Sequence, residues 1–155
     1  MTIAKVVRPG ELVGYDEDIQ LWSQQQARLL REGRFAEIDI EHIADEIEDA
    51  GKSERRELAN RCAVLLAHLL KWRIQPSFRS SSWRATILDQ RQRIDMILGE
   101  TPSLESVLRD PNWRQGVWLD ARAQARGEMR AKTDSLPAAI PWSWDSTFDP
   151  EFWPD

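Results

Sequence analysis

Polar side chains at apolar helix positions are the residues of this sequence best placed to do chemistry. On a helical projection of about 100° per residue, Glu54 falls near the middle of a long apolar stripe, and Arg61 and His68 lie on its edge. Gln90 occupies a similar inward position on the following helix. Because buried polar groups are costly unless hydrogen-bonded, we expect Glu54 to pair with Arg61, and His68 with Gln90 or Thr86.

Three interpretations of these polar positions stay open. The first is a buried network that fixes the register of the helices, and the second is a small-ligand pocket between them. The third is a broken helix that exposes all of these residues. A pocket would be lined by Glu54, Arg61, His68, Trp72, Trp83 and Gln90, which we name as candidate binding residues.

A metal site is the other chemistry that residue spacing suggests. Asp39, His42, Glu46 and Asp49 recur at intervals of three or four residues. Di-iron bundles, however, use paired Glu-x-x-His elements that project inward, and only Asp39-x-x-His42 approximates one. His42 and Asp49 also fall opposite the apolar stripe, as does Asp45, which favours a solvated acidic face. We therefore expect neither a metal nor another cofactor.

The charge of the chain is unevenly distributed. Seven acids and no Lys or Arg lie between Glu37 and Asp49, whereas six bases lie between Lys71 and Arg93, within a net charge of −5. We interpret this as oppositely charged helices packed side by side, with a polyanion site as the alternative. The net charge argues against nucleic acid as a partner. A nucleic-acid site would use Lys71, Arg73, Arg79, Arg84, Arg91 and Arg93, with Trp72, Phe78 and Trp83 for stacking.

No sequence motif indicates an enzyme. The chain lacks a Gly-rich phosphate loop and a Gly-x-Ser-x-Gly elbow, and its single cysteine, Cys62, lies in an apolar run typical of a buried thiol. No catalytic residue is therefore predicted. By elimination we expect a non-enzymatic interaction or regulatory module. The alternative is a small-ligand- or metal-dependent enzyme centred on the interhelical polar cluster.

The elements that must position these residues are helical. We predict an all-α helical bundle of about four main helices, with a short extra helix and an irregular Pro/Trp-rich tail. The predicted domains are a lead-in over residues 1–14, a bundle over 15–133 and a tail over 134–155 that packs on the bundle. The predicted helices run from Asp16 to Arg31, with a stop at Gly33; from a cap at Asp39 to Trp72; from Ser80, Ser81 or Ser82 to Leu98, with a stop at Gly99; from Thr101 to Arg109; and from Asn112 to Lys132.

Continuity of the second helix is the main question of the fold. Its apolar positions keep one phase from Ile40 to Trp72, which predicts a single helix. Gly51 and Ser53 are instead typical of a helix end followed by a new cap. We expect a continuous or gently kinked helix.

Several stretches of the chain form an ordered set of short motifs. They are Tyr15-Asp16-Glu17-Asp18 with Trp22, Gly33-Arg34-Phe35 before Ile38-Asp39, residues 51–58, residues 68–72, residues 82–87 with Gln90-Arg91, and Thr101-Pro102-Ser103-Leu104. Together they resemble the bacterial family "domain of unknown function 29". The resemblance covers the chain from Tyr15 to the last long helix and more weakly the tail, and it implies an all-helical bundle and no assigned biochemical role.

Compartment and partners follow from what the sequence contains. The N-terminal residues lack the apolar core of a secretory signal, and no segment approaches the ~20 apolar residues of a membrane span. We expect a cytoplasmic protein with a protein partner or a homodimer and no membrane contact. An interaction surface is expected in the tail, which holds Trp142, Trp144 and Trp153, or on the Ala-rich face of the last helix.

Overall fold

The computed structural model describes residues 6–129 and 136–155, and all regular structure in these ranges is helical. Four long helices and one short helix confirm the predicted all-α fold and its helix count. The helices are α1 (Ile19–Arg31), α2 (Ile40–Ile74), α3 (Ser81–Glu100), α4 (Glu105–Arg109) and α5 (Pro111–Glu128).

By its internal contacts the chain divides into two compact units. The first unit extends to Lys52 and the second begins at Ser53, so the boundary falls inside α2. The division into a lead-in, a bundle and a tail stays a prediction.

The ends of α1 follow from local hydrogen bonding. Asp18, rather than the expected Asp16, is the N-cap, and its carboxylate accepts the backbone N–H of Leu21 at 3.0 Å. At the other end Gly33 has φ +71° and donates its N–H to the carbonyl of Leu30 at 3.1 Å. Glycine adopts this left-handed conformation without steric cost, which confirms the predicted stop.

Helix α2 is continuous through Gly51 and 35 residues long, as expected from its apolar phase. Its first turn is capped by Asp39, whose Oδ1 accepts the N–H of His42 at 3.4 Å. A glycine inside a helix costs about 1 kcal/mol relative to alanine, which is too little to break a helix bonded on both sides. The helix ends at Ile74, two residues before Pro76, because proline disfavours the helical conformation of the residue before it.

The apolar face of α2 is buried over only part of its length. From Leu58 onward most of its apolar residues are buried in the core of the second unit, and Cys62, Leu65 and Leu69 are fully buried. In the first unit, by contrast, Ile40 is 65% exposed and Ile47 is 70% exposed. The apolar phase that predicted a single helix is therefore not matched by burial along its first half. We call Ile40, Ile43 and Ile47 the isoleucine stripe.

The C-terminal ends of α3 and α5 were predicted at Gly99 and Lys132. Helix α3 begins after the N-cap Ser80 but passes through Gly99, which was wrongly predicted as its stop. Its C-cap is Thr101, because Pro102 lacks the N–H needed to continue the hydrogen-bond ladder. Helix α5 ends at Glu128, and its predicted end at Lys132 lies outside the described residues.

The second unit has an apolar core built from α2, α3, α4 and α5. Its members on α5 include Val117, Ala121 and Ala125 and also Trp118, whose indole Nε1 donates to the carbonyl of Ala138 at 3.0 Å. In the described part of the tail, Trp142, Trp144 and Trp153 are half-buried against this core.

Arg91 holds the tail within the second unit. Its side chain is buried, with the residue 4% exposed, and its guanidinium donates to the carbonyls of Thr147 at 3.0 Å, Pro150 at 3.4 Å and Phe152 at 2.8 Å. The guanidinium also lies 5.6 Å from the ring centroid of Trp153. One rigid planar cation thus binds three carbonyls of a segment that has no strand or long helix of its own.

Arg91→Met should release the tail. Hydrogen bonds that involve a charged group contribute about 1.5–3 kcal/mol, so we expect the free energy of unfolding to fall by about 2–3 kcal/mol. Urea unfolding and limited proteolysis of the tail measure this change. Arg93→Met is the matched control because Arg93 pairs with Asp89 at the surface, where such pairs contribute about 0–1 kcal/mol. Equal losses in both variants would contradict a specific role for Arg91.

Candidate functional site

The six candidate binding residues all lie in the second unit and differ in their surroundings. Glu54 is exposed, Gln90 is buried, and the other four are half-buried. Their contacts separate them into a surface groove that includes Glu54 and Arg61, a polar cluster around His68 and Trp83, and separate environments for Trp72 and Gln90.

The predicted pairing of Glu54 with Arg61 is wrong. Arg61 Nε donates instead to Glu57 Oε1 at 2.8 Å, one turn before it on α2. Glu54 is exposed because the burial of α2 in the core begins only at Leu58. Glu54 and Arg61 nevertheless share an open groove between α2 and α3 of about 260 Å³, whose lining is completed by Glu57, Arg93, Met96, Ile97 and Glu100.

Lys71, which the sequence predicted to belong to a basic surface, is buried in the polar cluster around His68 and Trp83. Lys71 is 3% exposed, and its Nζ lies 2.5 Å from Glu128 Oε2 and 3.4 Å from His68 Nε2. The same ammonium lies 5.0 Å from the ring centroid of Trp83, a cation–π distance. Lys71 therefore brings together His68 and Trp83, two of the candidate binding residues. The signal available in the sequence was the position of Lys71 within an apolar run.

The contacts of His68 fix its protonation. Its Nδ1 lies 2.9 Å from the carbonyl of Val64, which only an N–H can satisfy, so Nε2 carries the lone pair that accepts from Lys71. Burial lowers the pKa of His68, and the ammonium of Lys71 lowers it further, against the opposing effect of the Val64 carbonyl. His68 does not pair with Gln90 or Thr86, as was expected, because both of its ring nitrogens are engaged elsewhere. The arrangement is that of a neutral imidazole bound on both sides.

The remaining candidates have different neighbours. Trp72 packs against Trp153 of the tail with ring centroids 4.9 Å apart, and the guanidinium of Arg79 lies 5.0 Å from the ring of Trp72. Gln90 Nε2 donates to Asp89 Oδ2 at 3.3 Å, while its Oε1 is buried without a protein hydrogen bond.

The bases between Lys71 and Arg93 have partners within their own unit. Lys71 pairs with Glu128, Arg93 pairs with Asp89, and the other four contact the tail. The tail contacts are Arg73 to the carbonyl of Pro141, Arg79 to that of Pro154, Arg84 over the ring of Trp153 at 4.6 Å, and Arg91 as described above. Most of the segment that resembled a polyanion site thus binds the carbonyls and rings of this chain.

The first unit has its own polar–aromatic junction. Asp39 Oδ2 accepts the indole N–H of Trp22 at 3.1 Å and lies 2.7 Å from His42 Nδ1. The ring of Tyr15 stacks on His42 with centroids 4.3 Å apart, and its hydroxyl donates to Glu46 Oε1 at 2.5 Å. That hydrogen bond is the main reason that the pKa of Tyr15 is raised to about 12.

This junction corrects the expectation of a wholly solvated acidic face. Asp45 and Asp49 are exposed as expected, but His42 and Glu46 are half-buried against the segment before α1. Within residues 6–129 and 136–155, no three His, Cys, Asp or Glu side chains are placed to hold a metal ion together. Cys62 is buried as predicted, and burial raises the pKa of its thiol to about 12.

Attachment of α1 to this flank of α2 leaves Ile40 and Ile47 exposed, whereas Ile43 between them is half-buried. The residues of α2 that contact α1 and the segment before it lie roughly 80–160° around the helix from Ile40 and Ile47. The hydrogen bonds of Asp39 to Trp22 and Gln26 therefore attach α1 to one side of the isoleucine stripe and not over it. Of the two locations predicted for an exposed apolar surface, the Ala-rich face of the last helix was wrong, because Ala121 and Ala125 are fully buried. The tail tryptophans are half-buried, so an interaction surface in the tail stays a prediction.

Comparison with known proteins places the chain by family alone. A family model described as "Domain of unknown function DUF29" matches residues 14–153. No curated protein and no solved structure matches the chain. In the part of the chain that the structure describes, no helix is both long and apolar enough to cross a membrane.

Glu128→Gln should destabilise the protein more than Lys71→Met does. The first change leaves a buried ammonium without its carboxylate, and breaking a fully buried pair in this way costs about 3–5 kcal/mol. We expect about 2–4 kcal/mol here, because the side chain of Glu128 is 43% exposed and its charge is partly screened by solvent. Lys71→Met frees a carboxylate that is 43% exposed and can be rehydrated, so we expect a change within about 1 kcal/mol.

Denaturant unfolding of both single variants and the double variant measures this asymmetry. The double variant should resemble Lys71→Met, since no buried charge is left unpaired. Asp49→Asn, which breaks the exposed pair with Lys52, is the control and should cost under about 1 kcal/mol. A Glu128→Gln variant as stable as this control would show that Lys71 needs no counter-ion.

The two histidines should titrate on opposite sides of the ordinary value of 6.5. The hydrogen bond to Asp39 raises the pKa of His42, against desolvation, so its contribution to stability is complete below 6.5 and is lost as pH rises through the folded pKa. His68, with a lowered pKa, contributes stability above 6.5 that is lost as pH falls toward its folded pKa.

Two-dimensional NMR of the imidazole protons measures both values. The variants His42→Gln and His68→Gln assign each NMR signal to its histidine, because each variant lacks one signal, and each variant is the matched control for the other. The two variants should change the slope of the free energy of unfolding against pH in opposite directions. Equal pKa values for the two imidazole rings would contradict this prediction.

Proposed function

This chain belongs to the family described as domain of unknown function DUF29, and we propose that it is a non-enzymatic interaction module that docks a helix of another protein on the isoleucine stripe. The observation that carries the proposal is the change in burial along α2. Leu58, Cys62, Leu65 and Leu69 on the same face are fully buried, whereas Ile40 and Ile47 are exposed by 65% and 70%.

Exposed isoleucines on one helical face favour association. Ile40 and Ile47 are seven residues apart, so they lie almost directly above one another along α2, with Ile43 between them. Burying an aliphatic side chain of this size contributes about 1.5–3 kcal/mol, so the two residues together offer about 3–6 kcal/mol to a partner. Helix-in-groove recognition uses anchors at this i, i+3, i+7 spacing.

The isoleucine stripe is already ordered before a partner binds. The aromatic and hydrogen-bonded contacts of Tyr15, Trp22, Asp39, His42 and Glu46 attach α1 and the segment before it to another flank of α2. The turns that carry the isoleucine stripe are regular α-helix capped by Asp39. A partner would therefore meet a preformed face, and association would cost little ordering of this chain.

The alternative is a small-ligand- or metal-dependent enzyme centred on the polar cluster between α2 and α3. It requires His68 to be available to a substrate, yet both ring nitrogens of His68 are hydrogen-bonded. The open groove beside the cluster is lined by Glu54 and Arg61 but not by His68. We therefore favour interaction over catalysis.

For the same module we propose a cytoplasmic location, in keeping with a single buried cysteine that has no disulfide partner.

Site-specific photo-crosslinking in cells of the source organism tests the proposed function. A photo-reactive phenylalanine analogue replaces Ile47 in one variant and Leu119, an exposed leucine of the second unit, in the matched control. We expect one discrete adduct with another polypeptide from position 47 and none from position 119. Adding Ile40→Ser to the first variant should abolish the adduct, since it removes half of the apolar anchor.

Thermal unfolding verifies that the variants fold, which we expect because the substituted positions are exposed. Adducts of equal yield from both positions, or an adduct that persists with Ile40→Ser, would contradict docking on the isoleucine stripe.

A further inference from the structure

An acidic row runs beside the isoleucine stripe. Glu41 and Glu48 each follow an exposed isoleucine in sequence and are themselves exposed, so they form a second row about 100° around the helix from the first. Asp45 lies farther around on the same side. The two rows are parallel, one apolar and one anionic.

These acids have little neutralisation from this chain. Among the described residues, Glu41 has no ion pair, and the nearest cation to Glu48 is Lys52, at 3.9 Å. Lys52 is closer to Asp49, at 3.1 Å, so it is shared between two carboxylates. Other acids of this segment are engaged elsewhere, Glu37 with Arg34 and Glu46 with Tyr15. The edge of the stripe therefore keeps a negative charge.

The charge of this edge selects the kind of partner. A helix with acids beside its own apolar face would be repelled, and the same face of a second copy would bring another acidic row. A helix with Lys or Arg beside its apolar residues would gain charge-assisted contacts at the edge while its apolar residues cover Ile40 and Ile47. The net charge of −5 would also attract such a cation at long range.

On the basis of the proposed function, we infer that the occupant of the isoleucine stripe is a cationic amphipathic helix of a partner protein. The apolar contacts supply most of the affinity. The row of Glu41 and Glu48 supplies orientation and discriminates against acidic or uncharged helices. Binding weakens as salt screens the charges over the Debye length, which is about 10 Å at 0.1 M ionic strength.

Two designed peptides serve as probes. Both are helices of about 18 residues, roughly five turns, with the same leucine positions; one carries lysine at the polar positions and the other carries glutamate. Each is labelled with fluorescein, and its binding to the full chain is followed by fluorescence anisotropy. The lysine peptide should bind at least about tenfold more tightly than the glutamate peptide, and its affinity should fall as ionic strength rises from about 0.05 M to about 0.5 M.

Variants separate the two rows. Ile40→Ser with Ile47→Ser should weaken the lysine peptide by at least about tenfold, because it removes the apolar anchor. Glu41→Lys with Glu48→Lys should weaken it by about five- to tenfold. The matched control, Asp120→Lys with Glu151→Lys, makes the same change in net charge at exposed sites of the second unit and should leave binding within about twofold.

Each contrary result has a defined meaning. Equal affinity for both peptides, or equal weakening by the control, would overturn the inference while position 47 still formed its adduct, and the proposed function would stand. Concentration-dependent dimerisation that Ile40→Ser with Ile47→Ser abolishes would make a second copy the occupant and also overturn it. Loss of the position-47 adduct would instead remove the proposed function on which the inference rests.

Discussion

The protein depends on the unbroken backbone hydrogen bonding of α2. A helix of 35 residues rises about 52 Å. Within the second unit its apolar residues pack in the core from Leu58 onward. Within the first unit, Ile40 and Ile47 of the same helix are exposed.

Two kinds of polar contact support the helices, and they have different consequences. In the second unit, Arg91 and Lys71 are buried cations, satisfied by tail carbonyls and by Glu128. Such groups are stable only when each donor has a partner, so they fix the tail and the end of α5 in one arrangement. In the first unit, the stacking of Tyr15 on His42 and the hydrogen bonds of Asp39 attach α1 from one side.

The residues that are engaged in contacts within the chain differ from those that remain exposed. The polar residues that resembled a reactive cluster, His68 above all, are occupied by contacts within the chain. The residues with unused binding capacity are the apolar ones on the first half of α2 and the acids beside them, Glu41 and Glu48. Chemistry at an occupied imidazole would need rearrangement, whereas docking on an exposed apolar row needs none. The proposed association therefore requires less structural change than catalysis at His68 would.

The sequence alone determined the all-α class, the continuity of α2 through Gly51, the stop at Gly33 and the burial of Cys62, because helical periodicity and capping act over a few residues. Only the tertiary structure decided which part of each helical face is covered. Glu54 and Ile47 share the apolar face with Leu58, yet they are exposed, since burial depends on neighbours distant in sequence. The carboxylate partner of Lys71 is likewise 57 residues away, and the carbonyl partners of Arg91 are 56–61 residues away, beyond the reach of any local pattern.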